Sequence, residues 1–431
     1  MPVIRAEYTG FTQRILPPRL ALEIVRHGRD FEKISRCNIP QGSQQHMPAI
    51  TGVEFRQFSA KHHNAQRNWL LVKLNTDDPK FYGIGDASPM QDDEQVKELI
   101  TGFVEKYLLG RDPLESEVHW TTMYQDPQAR GGRLATTAIS GIDIALWDLK
   151  GRLFDQPVWK MLGGAHRRSI RVYANGWYTN PGTPAQNAEE SKVVTGMGYT
   201  ALKFDPFGQE NYYKISLEEL QLAEDRVAAV RKAVGPNVDI LLEAHAKFNV
   251  MNAIQIGLRM EEYRPLFYEE PVSQERVSEL LEVRNRVNIP IATGERLYTK
   301  FPFAEIVERH AADVLQPDIA NAGGITELKK IAIIAEAKNI TMAPHNVCSP
   351  VGAMAEIHLD ASIINFEIQE YHAEFYTEHY FTVLDGFTRQ VDGYVELSDA
   401  PGLGLELNED EIARHPPLKK VKSAGGTVRG I

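Results

Sequence analysis

Residues 238–245 read VDILLEAH, residues 265–271 read PLFYEEP and residues 289–296 read IPIATGER. Each is a short apolar run that ends at a glutamate: Glu243, Glu269 and Glu295. Runs of this length bounded by turn residues suit buried strands, and the helical patterns between them supply the crossovers that parallel strands require. Further runs at 169–173, 201–204, 314–316, 340–343 and 363–366 bring the set to eight. Eight strands alternating with helices predict an α/β fold with a closed parallel barrel rather than an open sheet. Glu243, Glu269, Glu295, Asp318, His345 and Glu370 follow one another at intervals of 26, 26, 23, 27 and 25 residues, the length of one strand–helix unit. Ionisable residues at successive strand ends converge on the C-terminal mouth of a barrel, where chemistry is placed.

Upstream the texture differs. Strand-like segments at 52–58, 69–74 and 82–85 precede helical patterning at 96–107 and 116–124, which predicts a small α+β domain over residues 1–130. Within it, the polar, Arg- and His-rich stretch 19–47 is a candidate lid. An apolar helix is expected over 136–152, inside a barrel domain at 131–370. The aromatic segment 371–380 is left to line the mouth or to join the smaller domain.

Composition narrows the classes of function. A net charge of -11 disfavours nucleic acid and anionic membranes as partners. No apolar stretch approaches a membrane span, and the start of the chain lacks a secretory pattern. Two distant cysteines, Cys37 and Cys348, fit a reducing, cytoplasmic setting and form no zinc or redox motif. Gly163-Gly164 and Gly323-Gly324 form no nucleotide-binding loop.

Three carboxylates on consecutive strands repel one another unless a cation compensates them. An all-oxygen donor set favours Mg²⁺. Glu269 and Glu270 are adjacent, and alternation lets only one face the barrel interior without distortion. Spacing alone does not choose between them.

The segment Gly141-Ile142-Asp143-Ile144-Ala145-Leu146-Trp147-Asp148, followed in order by Lys203, Glu243, Glu269-Glu270-Pro271, Gly294-Glu295, Gln316-Pro317-Asp318 and His345, resembles the enolase superfamily and its mandelate-racemase-like subgroup. The likeness covers roughly residues 50–410. It implies a modified (β/α)7β TIM-type barrel under an α+β capping domain completed by residues 371–431, and a homo-oligomer. It also implies metal ligation by Glu243, Glu269 and Glu295, and a His345–Asp318 dyad. A carboxylate beside a histidine fixes its tautomer and favours the imidazolium formed on proton abstraction.

Two departures from mandelate racemase bear on the reaction. Lys203-Phe204-Asp205 stands where that enzyme has two lysines one residue apart, and His245 follows the first ligand, Glu243, by two. If the strand continues, alternation puts His245 on the same side as Glu243. This arrangement resembles the acid-sugar dehydratases, in which such a histidine is the general acid. The segments 201–208, ALKFDPFG, and 173–178, YANGWY, are similar to gluconate dehydratase-like members. The expected chemistry is Mg²⁺-assisted removal of the C2 proton of a small sugar acid by His345, with Lys203 and Glu370 stabilising the developing charge and His245 protonating the departing 3-hydroxyl. Epimerisation or cycloisomerisation through the same enediolate is the alternative. Asp205, Asn175 and Asn321 are the expected substrate contacts.

Overall fold

The computed structural model describes residues 47–62, 65–88, 92–126, 132–180, 182–208 and 213–419. All of the expected lid except Met47 lies outside these residues. Strands β1 (Ile50–His62), β2 (Ala65–Thr76) and β3 (Tyr82–Asp86) form an antiparallel sheet in the order β1-β2-β3. Helices α1 (Asp93–Phe103) and α2 (Ser116–Gln125) follow, and Val96, Ile100, Trp120 and Met123 bury their side chains in one core with Leu70, Val72 and Leu74 of β2.

Helix α3 (Arg133–Phe154) begins three residues before the expected helix and joins the cap to the barrel. A Cβ on Gly83 would lie 1.9 Å from the Ala145 carbonyl oxygen, and one on Gly85 2.0 Å from that of Gly141. Glycine in β3 therefore lets two backbones meet where any side chain would hold them apart. Asp148 of α3 is buried and ties three parts of the chain together. It accepts from the backbone N–H of Ile84 at 2.9 Å and of Leu403 at 2.8 Å, and pairs with Arg152 Nε at 2.8 Å.

The barrel strands are β4 (Ser169–Ala174), β5 (Ala201–Phe204), β6 (Asp239–Glu243), β7 (Tyr268–Glu269), β8 (Ile291–Thr293), β9 (Val314–Leu315), β10 (Thr341–Met342) and β11 (Gln369–Tyr371). One helix lies in each of the seven intervals: α4 (Pro184–Gly196), α5 (Leu217–Val234), α6 (Val250–Met260), α7 (Val277–Arg284), α8 (Lys300–Arg309), α9 (Gly324–Glu336) and α10 (Pro350–Ser362). Thr183 and Ser216 cap α4 and α5 through reciprocal bonds with Gln186 and Glu219, which starts each helix at a defined residue. Neighbouring strands are parallel from β4 to β10, and β11 returns to pair with β4. The ring closes at a bridge between Met342 and Phe366, made by Met342 N–H to Asn365 O and Glu367 N–H to Met342 O, both 2.8 Å.

The eighth strand corrects the expectation for 363–366. That apolar run contributes only the closing bridge, because Asn365 turns its amide to the Ala332 and Ile340 carbonyls and Ile364 is exposed. The strand itself is Gln369–Tyr371, which puts Glu370 within it.

The segment after β11 returns to the cap. Tyr376 and Tyr380 place their rings 4.9 and 5.3 Å from Trp69 of β2, so the aromatic stretch joins cap to barrel. The Ser59 N–H donates to His415 O, and Asn68 exchanges two bonds with the backbone of Leu418. β12 (Leu384–Asp385) pairs with β14 (Glu406–Leu407), β13 (Tyr394–Glu396) adds antiparallel to β4, and the short helix α11 (Glu409–Arg414) is the last described element. No described helix is long and apolar enough to cross a membrane.

Asp148→Ala leaves two buried N–H groups, of Ile84 and Leu403, without an acceptor and takes the Nε partner from Arg152, which keeps Glu406 and the Leu405 carbonyl. It is expected to lower the urea unfolding midpoint by the equivalent of about 2–6 kcal/mol, at about 1–3 kcal/mol for each buried N–H left unsatisfied. A loss below about 1 kcal/mol, the value of one ordinary hydrogen bond, would contradict this account of the cap–barrel joint.

Candidate active site

Parallel register brings the candidate residues together. Glu243 and Glu269 are direct partners across β6 and β7. The strand end at Glu295 is re-aimed by Gly294, whose φ of 147° and close approach to the Gln316 backbone exclude a side chain. Carboxylate oxygens of Glu243, Glu269 and Glu295 lie within 4.8 Å of one another. The first two acids are buried, with side-chain exposures of 3% and 0%.

The adjacent glutamates are separated by backbone shape. Glu269 ends β7, whereas Glu270 takes a left-handed conformation with φ of 41° and turns to Arg296 Nε at 3.1 Å. Arg296 reaches Glu295 with its other arm at 2.9 Å.

Lys203 of β5 sits among these acids. Its ammonium lies 2.8 Å from both oxygens of Glu269, 3.2 Å from Glu243 and 3.1 Å from Glu370. Burial pulls its pKa down, but Glu269 and Glu370 outweigh burial and hold it well above the usual lysine range. Burial raises Glu370, but Lys203, His345 and His372 together outweigh burial and hold it well below the usual carboxylate range. Burial and the charge of Glu243 push Glu269 well up. Glu243, although also opposed by burial, is held down at about 2 by His245 and Lys203. Two neighbouring carboxylates driven apart in this way form a site short of positive charge.

An isolated parallel bridge pairs Asp318 with His345 beyond the ends of β9 and β10. His345 Nδ1 bonds Asp318 Oδ2 at 2.8 Å, while Nε2 faces Glu295 at 3.3 Å and Glu370 at 4.0 Å. Burial lowers the imidazole pKa, but Glu295, Glu370 and Asp318 raise it to about 10.

His245 is placed differently from expectation. Strand β6 stops at Glu243, and both His245 and Ala246 are left-handed, with φ of 51° and 56°. A turn, not strand alternation, positions the ring. The His245 N–H donates to Glu243 Oε1 at 2.6 Å, and ring Nδ1 bonds Asp205 Oδ2 at 2.8 Å. Burial opposes protonation, yet Glu243 and Asp205 raise this imidazole to about 9; with the side chain 41% exposed, water screens part of that pull.

The three expected substrate contacts each bond to protein groups of the site. Asp205 is buried, accepts the Phe207 N–H on Oδ1, and receives His245 and Lys247 on Oδ2. Asn175 donates to Glu370 Oε1 at 2.5 Å, and Asn321 accepts from Thr137 of α3 at 2.9 Å. Through these bonds they help to orient Glu370, His245 and the end of α3. Arg296, Lys247 and His372, which lies 3.4 Å from Glu370, were missing from the expected set. The signal for the two cations was charge balance. Asp205, Glu243, Glu269, Glu270, Glu295, Asp318 and Glu370 are seven carboxylates, too many for Lys203 alone, and cations stand next to Glu295 and two residues after His245.

The donor set fits a hard divalent cation: oxygen ligands only, on rigid strand ends, in surroundings with excess negative charge. Glu243, Glu269 and Glu295 can hold a metal ion.

Two family models match this geometry, one described as enolase C-terminal domain-like over residues 185–411 and one as the N-terminal domain of mandelate racemase and muconate lactonizing enzyme over residues 53–163. This chain belongs to the enolase superfamily. The member is 34% identical over 420 residues to a D-gluconate dehydratase of Thermoproteus tenax, covering 96% of this chain and 82% of that one. It is 32% identical over 350 residues to a D-galactonate dehydratase of Klebsiella pneumoniae, covering 80% and 90%. A solved mandelate racemase/muconate lactonizing enzyme homologue from Burkholderia superposes with a TM-score of 0.81 at 34% identity, over 86% of this chain and 96% of that one. As a superfamily member this chain is an enzyme with the barrel and cap of that family.

Replacing Glu243, Glu269 or Glu295 singly by Gln is expected to weaken Mg²⁺ binding in calorimetry by more than about 100-fold. Glu270→Gln is expected to stay within the roughly 10–100-fold range of an outer partner. The reverse order would exchange the roles of Glu269 and Glu270.

Proposed function

We propose that the enzyme dehydrates an aldonate of the gluconate class to a 2-keto-3-deoxy acid. The observation that carries this reading is a pair of histidine–aspartate dyads, His345–Asp318 and His245–Asp205, beside one carboxylate cluster. The names of the relatives support the substrate class.

The residues divide the work. With Nδ1–H donated to Asp318, His345 presents Nε2 as the base that takes the C2 proton. Lys203 supplies a fixed positive charge where the enediolate gathers electrons, and Glu370, held by Asn175 and the Asn346 N–H, keeps Lys203 in place. Glu243, Glu269 and Glu295 would hold Mg²⁺, which when bound would supply Lewis-acid stabilisation at the substrate carboxylate and a positive charge against the acids that hold His345 protonated. His245, bonded through Nδ1 to Asp205, carries its transferable proton on Nε2 and delivers it to the 3-hydroxyl as the C3–O bond breaks. Water leaves, and the enol becomes the 2-keto acid. A positioned acid of this kind contributes about 10²–10⁴-fold. The partition on this reading is cap 1–130, barrel 131–370 and a segment 371–431 that completes the cap.

The test is a screen of four- to six-carbon aldonates and aldarates with Mg²⁺, reading keto-acid formation and deuterium entry at C2. Keto acid is expected; deuterated substrate or its epimer without keto acid would move the assignment to epimerisation. His345→Asn is expected to abolish both C2 exchange and product. His245→Asn is expected to keep exchange while losing product, and a wild-type rate of keto-acid formation in that variant would give the acid's role to another group.

A further inference from the structure

Resting on the dehydratase reading, we propose that Lys247 is a positioning residue for the general acid, clamping Asp205 and the β5–α5 turn so that the His245 ring keeps one orientation at the barrel mouth.

The turn that carries His245 is costly. Two consecutive non-glycine residues, His245 and Ala246, sit in the left-handed region, at about 1–2 kcal/mol each. Such a conformation persists only where its surroundings over-determine it, and Lys247 contributes at both ends. Its N–H donates to Ala244 O at 3.1 Å and its carbonyl accepts the Tyr213 N–H at 2.6 Å. The side chain, 11% exposed, runs back to bond Asp205 Oδ2 and the Gly208 carbonyl, the latter at 2.6 Å. Lysine is rarely buried without full pairing. Here one ammonium joins the loop after β5 to the loop after β6, and the carboxylate it holds is the one that holds His245.

The other dyad needs no such clamp. Asp318 Oδ1 accepts the N–H groups of Ala320 at 2.8 Å and Asn321 at 3.1 Å, so its own turn fixes it. Asp205 receives one backbone N–H, from Phe207. Loss of Lys247 should therefore disturb the His245 step and spare the His345 step.

The experiment compares wild type with Lys247→Met, Lys247→Gln, Lys247→Arg and His245→Asn, using D-gluconate and D-galactonate with Mg²⁺ in D₂O. The readout is the ratio of C2 exchange to keto-acid formation, with KM and the unfolding midpoint measured alongside. Lys247→Met is expected to raise that ratio about 10- to 100-fold, the penalty for a catalytic group displaced by about 1 Å, with C2–H cleavage within about threefold of wild type, well short of that penalty. Lys247→Gln keeps a donor in place, guards against a fold defect in the Met variant and should fall between. Lys247→Arg restores charge and should recover most of the ratio. If His245→Asn separates the two steps but the folded Lys247 variants do not, the inference fails. If His245→Asn slows both steps alike, the dehydratase reading itself fails.

Discussion

The Lys203 ammonium is withdrawn from water at the centre of the barrel mouth, and the site around it is arranged to make that tolerable. Glu269, Glu370 and Glu243 crowd it at 2.8 to 3.2 Å. Removing one ion from water costs several kcal/mol even after relaxation, and the mutual attraction of buried charges returns that cost only with good geometry and complete hydrogen bonding. The second ring of contacts, Asn175 and the Asn346 N–H on Glu370 and the His245 N–H on Glu243, supplies that completeness. A layer built this way adds little net stability. The fold rests on its apolar parts, above all the glycine-mediated contact of β3 with α3 and the packed barrel–helix interface.

The two histidines are supported by different kinds of structure. His345 lies on a parallel bridge with Asp318, a continuation of the regular barrel register, so its position is inherited from the sheet. His245 lies on a left-handed turn just past the end of its strand, held by side chains from two loops. The first arrangement is stiff because the barrel is stiff. The second depends on loop side chains and on the bond from its own N–H to Glu243, so the ring that on the dehydratase reading decides the fate of a common enediolate is tied to the carboxylate cluster as well as to the loops.

How much could be read beforehand follows the same division. The acids at strand ends were legible because a β/α unit has a nearly constant length, so Glu243, Glu269, Glu295, Asp318, His345 and Glu370 betrayed themselves by interval alone. The eighth strand was misplaced because Ile363, Ile364 and Phe366 are apolar for different reasons: Ile363 is buried and Ile364 exposed, while Phe366 packs beside the closing bridge. Alternation failed at His245, where the strand has ended and positive φ breaks the period of two with no glycine to announce it, and at Glu269-Glu270 it allowed one acid to face the site without saying which. The protein partners of Asp205, Asn175 and Asn321 were not legible, because polarity near a mouth does not say which neighbouring side chain a residue meets.

Asp205 explains why the neighbouring charges take the form they do. Where mandelate racemase has lysine, an aspartate shifts the local charge by two, in a mouth already crowded with carboxylates. Lys247 brings one positive charge back, but from behind, bonded to Asp205 and Gly208 at 11% exposure. The group that replaces the missing lysine toward solvent is His245, 41% exposed and tied to the same carboxylate. A lysine at that strand end can serve as a base on the second face of a substrate. A histidine backed by an anionic Asp205, itself steadied by Lys247, is favoured in its protonated form and is suited to give a proton rather than take one. On the dehydratase reading the replacement of one residue changes the sense of proton transfer on that side, and Lys247 stands behind the carboxylate, where its ammonium does not face the substrate beside the imidazolium that the elimination step would use.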